Sequence, residues 1–194
     1  MQEHELIKRS QDGDIEAFNQ LVEHYQNQVY NIALRMLGSP ETAEDATQDT
    51  FLSAYRAIGK FKGGSFKAWI LRIAANACYD KMRAARRTHA TSLDMILEES
   101  PEFPLNDNEE SPEDYALRQE LGRLLTDGLA RLPEDQRLAV ILCDIQGLSY
   151  EEISQVTRSS LGTVKSRLNR GRTRLRDILL QHQELLPPKF RHNR

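Results

Sequence analysis

Long apolar runs are missing from this 194-residue chain. No stretch approaches the roughly 18–20 apolar residues that a membrane span needs, so insertion into a bilayer is not expected. Cysteine is scarce: Cys78 and Cys143 stand far apart, which argues against a disulfide framework and fits a reducing compartment. The first residues lack the charged-then-apolar pattern of a secretory leader. Together these absences imply a cytoplasmic protein. Gly59 and Gly64 have the spacing of a phosphate-binding loop, but Ser65 stands where that loop needs lysine. None of the five histidines follows a glutamate by three residues, so the helical di-iron motif is excluded. H-E-x-x-H and C-x-x-C are absent too, and no nucleophile–base arrangement is legible. No metal or cofactor is expected, and the chain reads as a binding protein rather than an enzyme.

Net charge is small, at −3, but it is unevenly spread. Residues 1–59 carry ten acids and four bases. Residues 60–89 carry eight bases and one acid, Asp80. Nine acids and no base fall in 93–115, and seven bases with no acid in 157–176. Two cationic blocks separated by an anionic one point to two anion-binding surfaces, not to a diffuse field.

Periodicity predicts helices throughout. After a short helix near Glu3, Asp14 is a good cap for a long amphipathic helix whose apolar face is Ile15, Phe18, Val22, Tyr25, Val29, Ala33 and Met36. Gly38 ends it, and Ser39-Pro40 starts another that runs to about Ile58. A Gly-rich loop, 59–65, leads to a third long helix, Phe66 to about Arg87. Residues 91–113, with Pro101, Pro104 and Pro112, read as an extended acidic linker. Helices then follow from Pro112 to about Ala130, from Pro133 to Gly147, from the capping box at Ser149–Glu152, and from about Leu161 to His182. The predicted fold is all-α: one helical domain over 1–90, the linker 91–113, a second helical domain over 114–186, and a frayed tail, 187–194.

The end of the second domain has the form of a helix–turn–helix: a short capped helix, a four-residue turn and a basic helix. At about 100° per residue, Leu161, Val164, Leu168, Leu175, Ile178 and Leu179 fall on one stripe, with Gly171 among them. Ser166 and Thr173 point nearly opposite, flanked by Gly162, Thr163, Asn169 and Arg170, small or hydrogen-bonding; Lys165, Arg167, Arg172, Arg174 and Arg176 occupy the shoulders. Such a helix can present base-reading groups to a major groove while its cations reach phosphates on both sides. Basic runs are ordinarily solvated faces; the caps, short turn and matching apolar stripe together favour duplex DNA here.

The third helix repeats the logic with other chemistry. Arg72, Asn76, Tyr79 and Arg83 form a polar, partly aromatic stripe, preceded by Lys60, Phe61, Lys62, Ser65 and Phe66. Cations interleaved with aromatics suit unpaired DNA, where bases stack and lysines hold phosphates. Phe61, Phe66 and Trp69 suit core or loop anchors better than base platforms.

Four segments carry a family resemblance: Asp12–Phe18 through Val29-Tyr30; Ala43–Leu52; Phe61–Ala77 with Trp69, Arg72 and Asn76; and Gly147–Ile153 with Gly162–Leu168. In this order they resemble regions two and four of the extracytoplasmic-function (ECF) sigma factors of bacterial RNA polymerase. The resemblance implies an alternative sigma factor that directs promoter-specific initiation. It implies docking on core polymerase through Asp45, Gln48, Asp49, Leu52 and Arg56. It implies capture and melting of the −10 element by Lys60, Phe61, Lys62, Ser65, Trp69, Arg72, Asn76, Tyr79 and Arg83. It assigns the −35 element to Thr163, Lys165, Ser166, Arg167, Asn169, Arg170 and Arg174. An anti-sigma partner is also implied. The turn of the helix–turn–helix departs from the family's usual apolar-Gly pair, reading Thr157-Arg158. A dimeric helix–turn–helix regulator is the rival reading, and the basic, aromatic third helix is what it fails to explain.

Overall fold

The computed structural model describes residues 2–89 and 112–185, with side chains placed over 2–87 and 120–182. Every regular element among the described residues is helical. The first unit comprises α1 (Glu3–Gln11), α2 (Ile15–Leu37), α3 (Pro40–Ala57) and α4 (Phe66–His89). The second comprises α5 (Pro112–Ala130), α6 (Glu134–Val140), α7 (Tyr150–Thr157) and α8 (Leu161–Leu179). Most of the expected acidic linker and the tail 187–194 lie outside the described residues; by Pro112, α5 has begun.

Local chemistry sets these boundaries. The Asp14 carboxylate accepts the Ala17 N–H at 3.1 Å and caps α2, as the sequence suggests. That bond, with the Arg9 guanidinium at 2.9 Å, holds the Asp14 carboxyl below its usual range. Gly38, in the left-handed region, stops α2; Ser39 caps α3 and Pro40 fills its first helical position.

The first core is built from Leu21, Val29, Ile32 and Met36 of α2 against Ala43, Ala46 and Ala54 of α3 and Ile70, Leu71 and Ala74 of α4. Alanines on the inner face of α3 let three helices approach closely. Burying each large aliphatic contributes about 1.5–3 kcal/mol. Cys78 belongs to this core: it is fully buried, and burial pushes its thiol up to about 12, so it acts as a small apolar group.

Three details differ from the periodic reading. Ile15, placed by spacing on the apolar face of α2, is 59% exposed. Residues Ile141–Ile145 widen into a π turn after α6, where the Gln146 N–H reaches the Ile141 carbonyl at 3.0 Å. The last helix gives way at Leu179 to a 3-10 segment, Leu180–Leu185, so it ends before His182. Its first apolar residue, Leu161, is 41% exposed, because a helix's opening turn overhangs the neighbour it packs on.

The two units also pack on one another, which charge blocks and spacing do not reveal. Helix α4 lies against α7, and α2 against α5 and α6. Arg137 of α6 is the pin. The residue is 8% exposed. It donates to the Met36 carbonyl at 2.6 Å, in the last turn of α2, and to the carbonyls of Ala130 and Leu132 in its own unit. A helix leaves its last carbonyls unsatisfied, and a cation there is favoured twice, by hydrogen bonding and by the helix dipole. Replacing Arg137 by Met removes all three donors. We expect Arg137→Met to lose about 2 kcal/mol or more and to separate the melting of the two units, as calorimetry would register. A single transition at an unchanged midpoint would remove Arg137 from this role.

Candidate nucleic-acid interface

The helix–turn–helix is assembled by hydroxyl groups. Ser149 Oγ accepts the Glu152 N–H at 3.2 Å, and Glu152 returns a bond to the Ser149 N–H at 2.8 Å, completing a capping box for α7. At the other end Arg158 adopts φ 50°, ψ 42°, the left-handed conformation that glycine ordinarily supplies. The strain is held by neighbours. Ser154 Oγ donates to the Ser159 carbonyl at 2.6 Å, and Thr157 Oγ1 to that of Ile153 at 2.7 Å. Ser160 then caps α8 by accepting the Thr163 N–H at 3.1 Å. The departure seen in the sequence therefore leaves the turn geometry intact.

Helix α8 divides as its periodicity requires. Val164, Leu168 and Gly171 are buried, and Leu175 and Ile178 pack partly. Gly171 seats α8 on α6: a Cβ there would meet Val140 Cγ2 at 2.8 Å and the Gln136 carbonyl at 3.2 Å. Lys165, Asn169, Arg170 and Arg174 are exposed, and Thr163 and Ser166 half-buried beside them. The Arg170 guanidinium folds back on Ser166, and Arg174 reaches Gln136 at 3.2 Å. Arg172 is held by Asp144, which raises its pKa further. Arg167 turns inward: it pairs with Asp135 at 2.9 Å and reaches Ser159 Oγ at 3.4 Å.

In the first unit, Gly63 and Gly64 both take positive φ, 92° and 91°, where other residues would be strained. Gln11 ties the loop down, donating to the Ile58 and Phe61 carbonyls at 3.1 and 2.8 Å. Lys60, Lys62 and Ser65 are exposed, and Ser65 caps α4 through the Ala68 N–H. The aromatics cluster: Phe66 is buried, and the half-buried Phe61 and Trp69 rings lie 5.6 and 5.2 Å from it. On this evidence of packing Phe66 is an anchor, while Phe61 and Trp69 are wedged at the rim. Arg83, exposed, pairs with Asp80 at 2.6 Å.

Arg72 and Tyr79 are half-buried, and Asn76 is exposed beside them. They line a cleft between the units, with Arg86, Glu134, Asp135, Arg158 and Arg167 across or beside them. Arg86 pairs with Glu134 over the seam. Burial pushes the Tyr79 phenol up and disfavours the charged form of Arg72.

A second surface lies on α3. Asp45, Gln48, Asp49, Leu52 and Arg56 are all exposed on it, and Lys81 bridges Asp45 and Asp49 at 3.3 and 3.1 Å. Beside them runs a groove between α2 and α3 in which Ile15, Leu52 and Tyr55 stand exposed over Phe18 and Phe51.

Residues 21–88, spanning most of α2 to α4, match Sigma-70 region 2, and residues 122–175, within α5 to α8, match Sigma-70, region 4. The RNA polymerase sigma-H factor of Pseudomonas aeruginosa is 38% identical over 176 residues, covering 88% of this chain and 90% of that protein. The ECF RNA polymerase sigma factor SigE of Mycolicibacterium smegmatis is 39% identical over 86% of this chain. The chain spans 63% of that relative's length.

The chain belongs to the ECF sigma factors, in the sigma-70 family.

Two solved structures share the architecture of this sigma factor. CnrH, in complex with the cytosolic domain of CnrY, matches with a TM-score of 0.65 at 28% identity, covering 90% of this chain and 94% of that one. The sigma factor RpoE of Bartonella quintana, in complex with the anti-sigma factor NepR, matches at 0.67 and 28%, covering 84% and 96%. Sequence reasoning missed three parts of the sigma factor's surface. Ile15 and Tyr55 complete the α2–α3 groove, and Arg158 enters the cleft from the turn. Only the odd Thr157-Arg158 pair carried a signal in advance.

Since glycine adopts the conformation of Arg158 without penalty, Arg158→Gly should stabilise the sigma factor by about 0.5–1 kcal/mol, after the entropy of glycine is deducted. Urea unfolding measures this; a loss of stability would contradict it.

Proposed function

We propose that this chain is an alternative sigma factor that binds core RNA polymerase and directs promoter-specific initiation, with the duties divided between its two helical units. The observation that carries this reading is the order along one chain: a region 2 unit with a basic, aromatic-flanked helix, then a region 4 unit with an exposed cationic recognition helix. The region 2 unit corresponds to 1–90, the linker to 91–113 and the region 4 unit to 114–186. The chain works in the cytoplasm as a DNA-binding initiation factor and not as an enzyme; no described helix is long and apolar enough to cross a membrane.

In this reading α3 docks on polymerase through Asp45, Gln48, Asp49, Leu52 and Arg56. The loop residues Lys60, Phe61, Lys62 and Ser65, with Trp69, Arg72, Asn76, Tyr79 and Arg83, take up and unpair the −10 element. Helix α8 reads the −35 element with Thr163, Lys165, Ser166, Asn169 and Arg170, Arg174 reaches a phosphate, and Arg167 joins them once its pair with Asp135 opens. An exposed apolar groove beside an acidic helix face also suits a partner protein. We assign an anti-sigma factor to it, in keeping with the complexes in which CnrH and RpoE were solved.

The packed arrangement bears on the mechanism. Arg72 and Tyr79 are half-buried in the cleft beside α7 and the turn after it, where the second unit obstructs a base approaching them, while Asn76 stays exposed at the edge. Promoter capture therefore requires the two units to part. The free protein should bind promoter DNA weakly, and with steep salt dependence for such contacts as form.

Run-off transcription with core polymerase on a promoter library tests the proposal. Specific transcripts should appear only when the chain is added. Asp49→Lys should abolish them by reversing charge on the docking face, with helicity unchanged by circular dichroism. Arg170→Ala should weaken and relax upstream-element recognition by roughly 1–3 kcal/mol. Absence of any transcript, together with failure to co-purify with core polymerase at low salt, would overturn the proposal.

A further inference from the structure

The cleft between the units has a volume of about 690 Å³. Four guanidiniums enter it: Arg72 and Arg86 from α4, Arg158 from the turn and Arg167 from α8. Two are neutralised. Arg86 pairs with Glu134 and Arg167 with Asp135. Those are the only two carboxylates among the residues lining the cleft. Arg72 and Arg158 are left with no anionic partner among the described residues, and the charge of Arg158 works against that of Arg72.

Like charges near one another are unfavourable, and here Arg72 is half-buried while Arg158 approaches it from an exposed turn. Here they are brought together by a seam with a built interior. Arg137 pins it, and Ala75, Leu138 and Val156 are buried along it at 3%, 1% and 2% exposure. Asn76 and Tyr79 add neutral donors to the same wall. Guanidiniums bind phosphate oxygens in paired, charge-assisted hydrogen bonds. The volume falls within the roughly 300–1,000 Å³ of ordinary small-molecule sites, which favour such interdomain positions.

We propose that this cleft binds a small phosphate-bearing polyanion, of the pyrophosphate or nucleoside polyphosphate class, which bridges Arg72 and Arg158 and stabilises the packed arrangement of the two units. Duplex or single-stranded DNA supplies the same phosphate chemistry, but a polymer cannot enter while the second unit covers the first. The inference rests on the promoter reading in one respect. Because Arg72, Asn76 and Tyr79 are assigned to the −10 element, polyanion and promoter exclude one another.

Isothermal titration of the full chain with pyrophosphate, at fixed ionic strength, tests the site. One pyrophosphate should bind per chain. Arg158→Gly, which removes the cation at a backbone conformation suited to glycine, should weaken binding about tenfold or more. Arg158→Lys should restore part of it. Arg131→Gln, which removes an exposed cation elsewhere, should not alter it. A second arm titrates an oligonucleotide without terminal phosphates, whose binding should weaken once pyrophosphate saturates the cleft. No stoichiometric binding of pyrophosphate, equal weakening by Arg131→Gln, or binding unaffected by Arg158→Gly would overturn the proposal. If pyrophosphate fails to bind while run-off transcription succeeds, only this inference falls. If it binds and no transcript forms, the promoter reading falls instead.

Discussion

A buried guanidinium holds the two halves of this molecule together. Arg137 leaves water to satisfy three backbone carbonyls, one at the end of α2 and two at the end of α5 and the turn beyond it. Desolvation of a cation is costly, and it weakens the hold of Arg137 on its proton. The compensation is geometric: a planar fork meets several acceptors that would otherwise be orphaned. Apolar burial on both sides of the seam makes the contact continuous, but an apolar seam alone would tolerate sliding. The carbonyl pattern around Arg137 fixes one register of the second unit on the first.

That register decides what the charged surfaces can do. The recognition helix α8 keeps Lys165, Asn169 and Arg170 exposed, while Arg167 is drawn inward to Asp135. Of the polar stripe of α4, Arg72, Asn76 and Tyr79 line the cleft, while Asn76 and Arg83 remain exposed. Helix α3 stays open to solvent along its whole acidic face. In the proposed reading the docking face is thus available while part of the −10 face lies in the cleft, an order of events in which polymerase is met first and unpaired DNA later.

Much of this was legible in the residues. Caps at Asp14, Ser39 and Ser149 mark three helix starts because each places an acceptor where backbone N–H groups lack partners. The stripe Val164, Leu168, Gly171 announced which side of α8 is buried, and so which side is free. Other features depend on partners distant in sequence. Arg137 reads as one more surface cation in the helix that Pro133 opens; its role comes from Met36, 101 positions away. The exposed Ile15 lies on the right period for the core but beyond the edge of the helices it would pack against. Periodicity reports the direction of a side chain, not whether a neighbour extends far enough to cover it. The π turn at Ile141–Ile145 has no signature of its own, since Ile141, Leu142 and Ile145 also fit the apolar face of an ordinary helix.

The left-handed Arg158 joins the two lessons. A glycine would fit that backbone better, so the arginine is kept at a cost, and its side chain enters the cleft. Strain of this kind at a surface turn is most readily explained by what the side chain meets there. Closure of the two units is the claim on which the account rests. Pulsed electron paramagnetic resonance between spin labels at Asp80 on α4 and Gln155 on α7, with Cys143 replaced by serine, measures it directly. A short, narrow distance distribution in the free protein, lengthening when core polymerase and promoter DNA are added, is the predicted result. A broad distribution in the free protein, or the same short distance in the transcription complex, would contradict the account.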